Sequence, residues 1–194
     1  MMRLVRLAVS QLAFAAVLAA ASSITAQDTA LQIDPALSKV EFTLGDILHT
    51  VHGTFLLKRG NIRFDALTGK ASGELVVDAG SGNSGSSARD QRMGRNILET
   101  MLFPEIIFRP DRIDGKVAPD GESQVAMHGV FLIHGAEHEI TMPLQVAAAA
   151  GRYTATSHFT VPYVKWGMKN PSNLLLRVSD HVEITIHTVA MPAK

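Results

Sequence analysis

The chain of 194 residues contains no cysteine, one tryptophan and two tyrosines. Without Cys there is no disulfide framework, no thiolate metal site, no thiol nucleophile or sensor, and no N-terminal cysteine for lipidation. Net charge is also missing, since 18 Lys and Arg balance 18 Asp and Glu. That balance argues against a nucleic-acid binder, which carries a basic face. A hydrophobic fraction of 46% excludes a disordered chain. No G-x-S-x-G elbow, Walker-type loop, dinucleotide glycine pattern or H-E-x-x-H occurs, so no catalytic constellation stands out.

The beginning differs in composition from the rest. Arg3 and Arg6 precede an apolar run, Leu7–Ala21, broken only by Ser10 and Gln11, and small residues continue up to Ala26. This order is that of a secretory signal, and a run of about 15 residues is short for a spanning helix. Residues 1–26 are therefore expected to be a signal peptide cleaved near Ala26, with residues 27–194 forming one domain in the periplasm or outside the cell. The remaining 168 residues would carry a net charge of −2, because two Arg and no acid are removed.

Period-2 alternation dominates the chain beyond Ala26. Val40, Phe42 and Leu44 share one face. Val51, Gly53, Phe55 and Leu57 share another, as do Ile62 with Phe64 and Leu75 with Val77. Ile140, Met142, Leu144 and Val146 alternate with polar neighbours, and so do Val178, Val182, Ile184 and Ile186 in a last strand read over 177–187. Further strands are expected around Ile106–Ile113, Gln124–Ile133 and Tyr153–Val161. Turns are expected at Lys58-Arg59-Gly60, Leu67-Thr68-Gly69, Pro119-Asp120-Gly121, His134-Gly135 and Gly151.

Gly80–Ser87 reads as a flexible Gly/Ser loop. Ala88–Leu102 reads as a helix, with Met93, Ile97, Leu98, Met101 and Leu102 at helical spacing and Phe103-Pro104 ending it. Pro162–Asn173 is irregular and holds Trp166. Eight or nine antiparallel strands with one apolar face must close or stack to remove their edges. The expected fold is thus all-β: an extended antiparallel barrel of about eight strands with one short helix over an end.

A barrel of this size is either filled by its side chains or hollow enough for one small ligand, and periodicity leaves both open. Of eight histidines, His49 with His52, His134 with His138, and His181 with His187 lie close in sequence. Such pairs suit zinc or copper, but they are equally ordinary as half-exposed strand residues. Arg89, Arg92 and Arg95 recur every three residues, and Lys165 and Lys169 flank Trp166. On one barrel mouth they would meet an anionic head group; otherwise they form a solvated face. Tyr163 and Trp166 suit an apolar tail, a membrane surface or local loop packing.

The order of segments resembles the YceI-like family of secreted, lipocalin-like lipid-binding barrels, from about Leu31 to Val189. The similar segments are Asp34-Pro35-Ala36-Leu37-Ser38-Lys39-Val40-Glu41-Phe42, His52-Gly53-Thr54-Phe55, and Gly60-Asn61-Ile62-Arg63-Phe64-Asp65. Arg89-Asp90, Phe103-Pro104-Glu105, Gly129–Gly135 with its Ile133-His134-Gly135 hairpin, and Phe159–Pro171 come next, in that order. Many family members carry His two residues after the Arg-Asp pair, where this chain has Arg92. The Gly/Ser loop before the helix is also unusually rich. Both departures fall where a ligand mouth would lie.

The resemblance implies a lipocalin-like barrel that binds a long isoprenoid or similar amphiphile along its lumen, without catalysis. A bound quinone or polyprenyl chain would be its only cofactor-like group, with no metal. Expected lumen contacts are Phe42, Leu44, Phe55, Phe64, Phe108, Met127, Phe131, Met142, Phe159, Trp166 and Ile184. Expected head-group contacts are Arg89, Arg92, Lys165 and Lys169. The partners are an apolar lipid and, transiently, a membrane; no nucleic acid is expected, and monomer and homodimer are both open. The alternatives are a filled structural or partner-binding barrel and a His-ligated metal protein.

Overall fold

A computed structural model describes residues 28–45, 50–173 and 177–193. The signal-peptide reading and His49 fall outside the described residues. Ten strands form one antiparallel sheet: β1 (Asp28–Ile33), β2 (Lys39–Gly45), β3 (Thr50–Phe55), β4 (Leu57–Asp65), β5 (Ala71–Asp78), β6 (Glu105–Asp114), β7 (Gly121–Ile133), β8 (Ala136–Ala149), β9 (Arg152–Val161) and β10 (Val182–Pro192). The pairing order runs β1-β4-β5-β6-β7-β8-β9-β10, and β10 pairs back onto β1, closing a ring of eight. Closure removes the open edges that such apolar-faced strands would otherwise present.

The two remaining strands extend this ring at one end. Along β10, Glu183–His187 pair with Thr43–Lys39 of β2, whereas Ala190–Pro192 pair with Ile33–Leu31 of β1. β1 and β2 are therefore two pieces of one wall, separated by the turn 34–38. That turn is stitched to β10 at Val189, whose carbonyl accepts from Asp34 N at 2.8 Å and whose N–H donates to Ser38 Oγ at 3.1 Å. β3 pairs with β2 and β4 with β1, with a break at exposed Leu56. The upper half of the barrel is walled by β2 and β3, the lower half by β1 and β4.

Two seams open in the upper half. Among the described residues β3 has no strand on its outer edge; instead Asn83 exchanges both backbone hydrogen bonds with Thr54, each 2.9 Å. Residues 79–83 thus substitute for a strand. The second seam lies between β8 and β9, whose paired residues end at Gln145 and Thr156. Pro143 lacks an N–H, so it offers none to the ladder. Its carbonyl is satisfied by the Ser157 hydroxyl at 2.7 Å.

Several local expectations change. Gly80–Ser87 is not a free loop. Asp90 Oδ1 accepts from Ser84 N at 2.9 Å and Ser84 Oγ at 2.5 Å, and Arg89 holds Ser84 Oγ and its carbonyl at 2.7 and 2.8 Å. Gly82 lies close against the lining, since a Cβ there would lie 2.3 Å from Met93 Cε and 2.8 Å from Phe55 Cε1. The helix expected over Ala88–Leu102 is only α1 (Ser87–Arg92), continued by one wide π turn, Met93–Ile97. Gly94 and Asn96 are weak helix formers. Glu99 then adopts φ 48° and reverses the chain, leaving Met101 and Leu102 exposed while Leu98 is buried.

Lys58-Arg59-Gly60 is not a turn either. It lies within β4 at a bulge, where a Gly60 Cβ would meet Leu75 Cδ1 at 2.8 Å. The last strand starts at Val182 rather than at 177 and runs on to Pro192, and β1 joins the set as a strand that alternation had not marked. The hairpin at His134-Gly135 (φ 52° and 75°) and that at Ala150-Gly151 (φ 48° and 77°) are two-residue turns of the kind that matches strand twist.

Gly53 holds β3 close to both the lumen and the seam. A Cβ there would lie 2.3 Å from Phe42 Cζ and 2.6 Å from the Asn83 carbonyl. Gly53→Ala is expected to lower stability by about 1–3 kcal/mol, the usual cost of overpacking. Urea denaturation of the two proteins, compared at equal slope, checks this.

Candidate functional site

Inward-facing side chains leave the barrel hollow. The upper cavity measures about 430 Å³ and the lower about 100 Å³. Phe42, Leu44, Phe55, Phe159, Trp166 and Ile184 line the upper one. Phe64, Phe108, Met127 and Met142 line the lower one. Phe131 lines both. Each of the eleven residues expected inside lines a cavity, ten of them because strand alternation sets the face whichever strand lies alongside, while Trp166 comes from the irregular stretch after β9.

The upper wall is largely aromatic. The Phe42 and Phe55 rings are 5.3 Å apart, and Phe131 lies 5.8 Å from Phe159 and 6.3 Å from Trp166. Trp166 itself stacks on His138 at 4.3 Å with nearly parallel planes, filling the seam between β8 and β9. Residues outside the eleven expected lumen contacts complete the surface: Met93, Ile97 and Leu98 from the segment covering the seam beside β3, and from the stretch after β9 Met168 together with Tyr163, for which an apolar tail was one of the expected partners. The apolar stripe at 93, 97 and 98 was the available signal for the first group. For the second, no period marks the positions, because the backbone is irregular there.

The polar residues on the upper lining other than Tyr163 are Ser84, Arg89 and Arg92. Arg89 is committed to Ser84 through its two hydrogen bonds. Arg92 is exposed at the cavity and forms no ion pair among the described residues. Lys165 and Lys169 are exposed and, unlike Arg89 and Arg92, do not belong to the lining. Between them Trp166 takes the inward place, and long cationic chains beside an apolar wall extend to water. Tyr163 is buried, and its hydroxyl donates to the Ser179 carbonyl at 2.6 Å. Burial, aided by the nearby Asp180 charge, pushes its phenol up to about 12.

The histidines do not converge. His134 Nε2 lies 2.9 Å from Glu99 Oε2, and its ring packs on Phe103. His181 pairs with Asp180 in the turn before β10, whereas His187 pairs with Thr156. Among the described residues no group of three or more His, Asp or Glu is placed to hold a metal ion. Neither cavity is lined by a described His, Asp or Glu; of the lining hydroxyls, that of Ser84 donates to Asp90 Oδ1 at 2.5 Å. Chemically, the site offers apolar burial, at about 25 cal/mol per Å², with two arginines, Arg89 and Arg92, at its edge.

A closed antiparallel calyx around a hollow apolar lumen is the class that these features define. The model of the YceI-like domain matches residues 31–190, and the chain belongs to that family. No curated protein matches it in sequence. Among similar solved structures is BcnA of Burkholderia cenocepacia, with a TM-score of 0.68 and 20% identity, covering 82% of this chain and 99% of that one. Another is a polyisoprenoid binding domain from Saccharophagus degradans implicated in plant cell wall breakdown, with a TM-score of 0.65, 18% identity and coverage of 85% and 99%. The YceI protein of Campylobacter jejuni is similar at a TM-score of 0.57 and 14% identity, over 70% of this chain and 81% of that one.

His138 Nε2 is buried without a hydrogen-bond partner among the described residues, and burial lowers the imidazole's pKa. The unfolded chain therefore binds this proton more readily than the folded one. The contribution is present above about pH 6.5 and is lost as pH falls through the depressed value. His138→Phe, which keeps the ring on Trp166, is expected to lose less stability than the parent between about pH 7 and about pH 5. Denaturation midpoints at the two pH values check it.

Proposed function

We propose that this chain is an exported carrier or store for a long isoprenoid lipid, a quinone or a polyprenyl chain, and that it performs no catalysis. The observation that carries the reading is the aromatic and aliphatic lumen, about 430 Å³ in its upper part, with Arg92 at its edge. A hydrocarbon tail gains free energy there simply by leaving water, and no buried charge opposes it. The similarity to a polyisoprenoid binding domain supports the same class of ligand. The Arg3, Arg6 and Leu7–Ala21 pattern supports export.

Arg92 is placed for a phosphate or another polar end group emerging from the lumen. Arg95, with exposed Met101 and Leu102 on the same covering segment, suits brief contact with an anionic membrane surface during loading. The apolar lumen residues bind the tail, and Arg92 and Arg89 serve the head group. Lys165 and Lys169, facing solvent, have no direct role in this reading.

Trp166 is the sole tryptophan and lines the upper cavity, so its emission reports occupancy. Titration with prenyl alcohols of increasing length is expected to give affinities that rise with length until the lumen is full. Equal affinity for short and long chains contradicts the proposal. Arg92→Gln is expected to weaken a prenyl diphosphate by about two- to fivefold relative to the matching alcohol, the worth of an exposed charge pair.

A further inference from the structure

We infer that the lower cavity is a separate subsite for the far end of a long hydrocarbon chain, and that Phe131 and Ile186 form the constriction that decides which chains reach it. This rests on the lipid-binding proposal and adds the feature that selects among lipids. Phe131 and Ile186 are the two residues that line both cavities. Phe131 touches Phe108 of the lower cavity at a ring separation of 5.1 Å and Phe159 of the upper at 5.8 Å. Ile186 pairs with Val40 of the upper wall on one side and with Ser157 of the lower lining on the other.

The constriction arises from the strand arrangement. Ile186 stands opposite Val40 near the end of the β10–β2 pairing, and beyond it β10 passes to β1 at Ala190, where the wall is no longer β2 and β3. Below that point the lining is almost wholly apolar, with Ser157 tied to the Pro143 carbonyl. A head group has no ion partner there, whereas a methyl-branched tail does not need one. Ile186 is β-branched and stiff about its first side-chain torsion. The Phe131 ring borders both cavities and packs on Phe108, Phe159 and Trp166. A tail advancing from the upper cavity displaces that ring and gains the burial of the lower cavity in addition.

Chain length is then read in two stages. A short prenyl chain fills only the upper cavity, while one long enough to pass Phe131 gains a further increment. Leu144 lines the lower cavity alone. Leu144→Phe fills that space, and the ratio of solanesol to farnesol affinity, read by Trp166 emission, is expected to fall about tenfold, the value of one or two buried methylenes. Phe131→Ala, which joins the cavities, is expected to raise the same ratio. The second variant keeps the test open should Leu144→Phe fail to unfold cooperatively. Unchanged ratios in folded variants overturn the two-stage lumen while leaving lipid binding intact. Failure of the parent protein to bind either alcohol overturns the lipid-binding proposal, and this inference with it.

Discussion

The pairing of β10 with two partners organises the molecule. At Val189 the backbone bonds to the turn at 34–38, and on either side of this stitch β10 faces a different strand. One consequence is closure, because β1 completes the eight-membered ring. The other is asymmetry. β1 and β4 draw the lower half narrow, while β2 and β3 project beyond it and leave room between β3 and the rest. The large cavity, the small one and the constriction between them all result from where one strand changes neighbours.

An enlarged upper half creates backbone groups that need partners. Asn83 supplies them for Thr54, and the Ser157 hydroxyl supplies one for Pro143. Unpaired groups at these places would each cost on the order of 1–3 kcal/mol. The segments that close the seams also carry the lining. Met93, Ile97 and Leu98 arrive with the covering helix and its wide turn, and Trp166 arrives stacked on His138. Structural sealing and ligand surface are the same residues, so changes at the mouth act on stability as well as on binding. The tight contacts at Gly53 and Gly82 belong to this sealing.

Much of the site was legible in the sequence because the period of a strand fixes which side chains point inward. Phe42, Phe108, Met142 and Ile184 could be placed inside without knowing a single pairing. The barrel class came from the number of such strands. What alternation cannot express is where pairing stops. The split of one wall into β1 and β2, the bulge within Lys58-Arg59-Gly60 and the end of β8–β9 pairing at Gln145 and Thr156 are properties of two strands together. Composition misled at Gly80–Ser87, where Ser84 is held by Arg89 and Asp90, neighbours in sequence but oriented only by the fold. Charge pattern left open whether Lys165 and Lys169 share a mouth with Arg89 and Arg92; the two arginines line the upper cavity, and between the lysines the indole of Trp166 takes the inward position. Two cavities instead of one could not be seen from any single strand.

A carrier function requires a lumen occupied by lipid. The direct measurement is mass spectrometry of an organic extract of the purified, untagged protein, produced in a host that makes isoprenoid lipids. A single long isoprenoid or quinone at close to one per chain is the predicted result. A lipid-free extract from folded protein would contradict it.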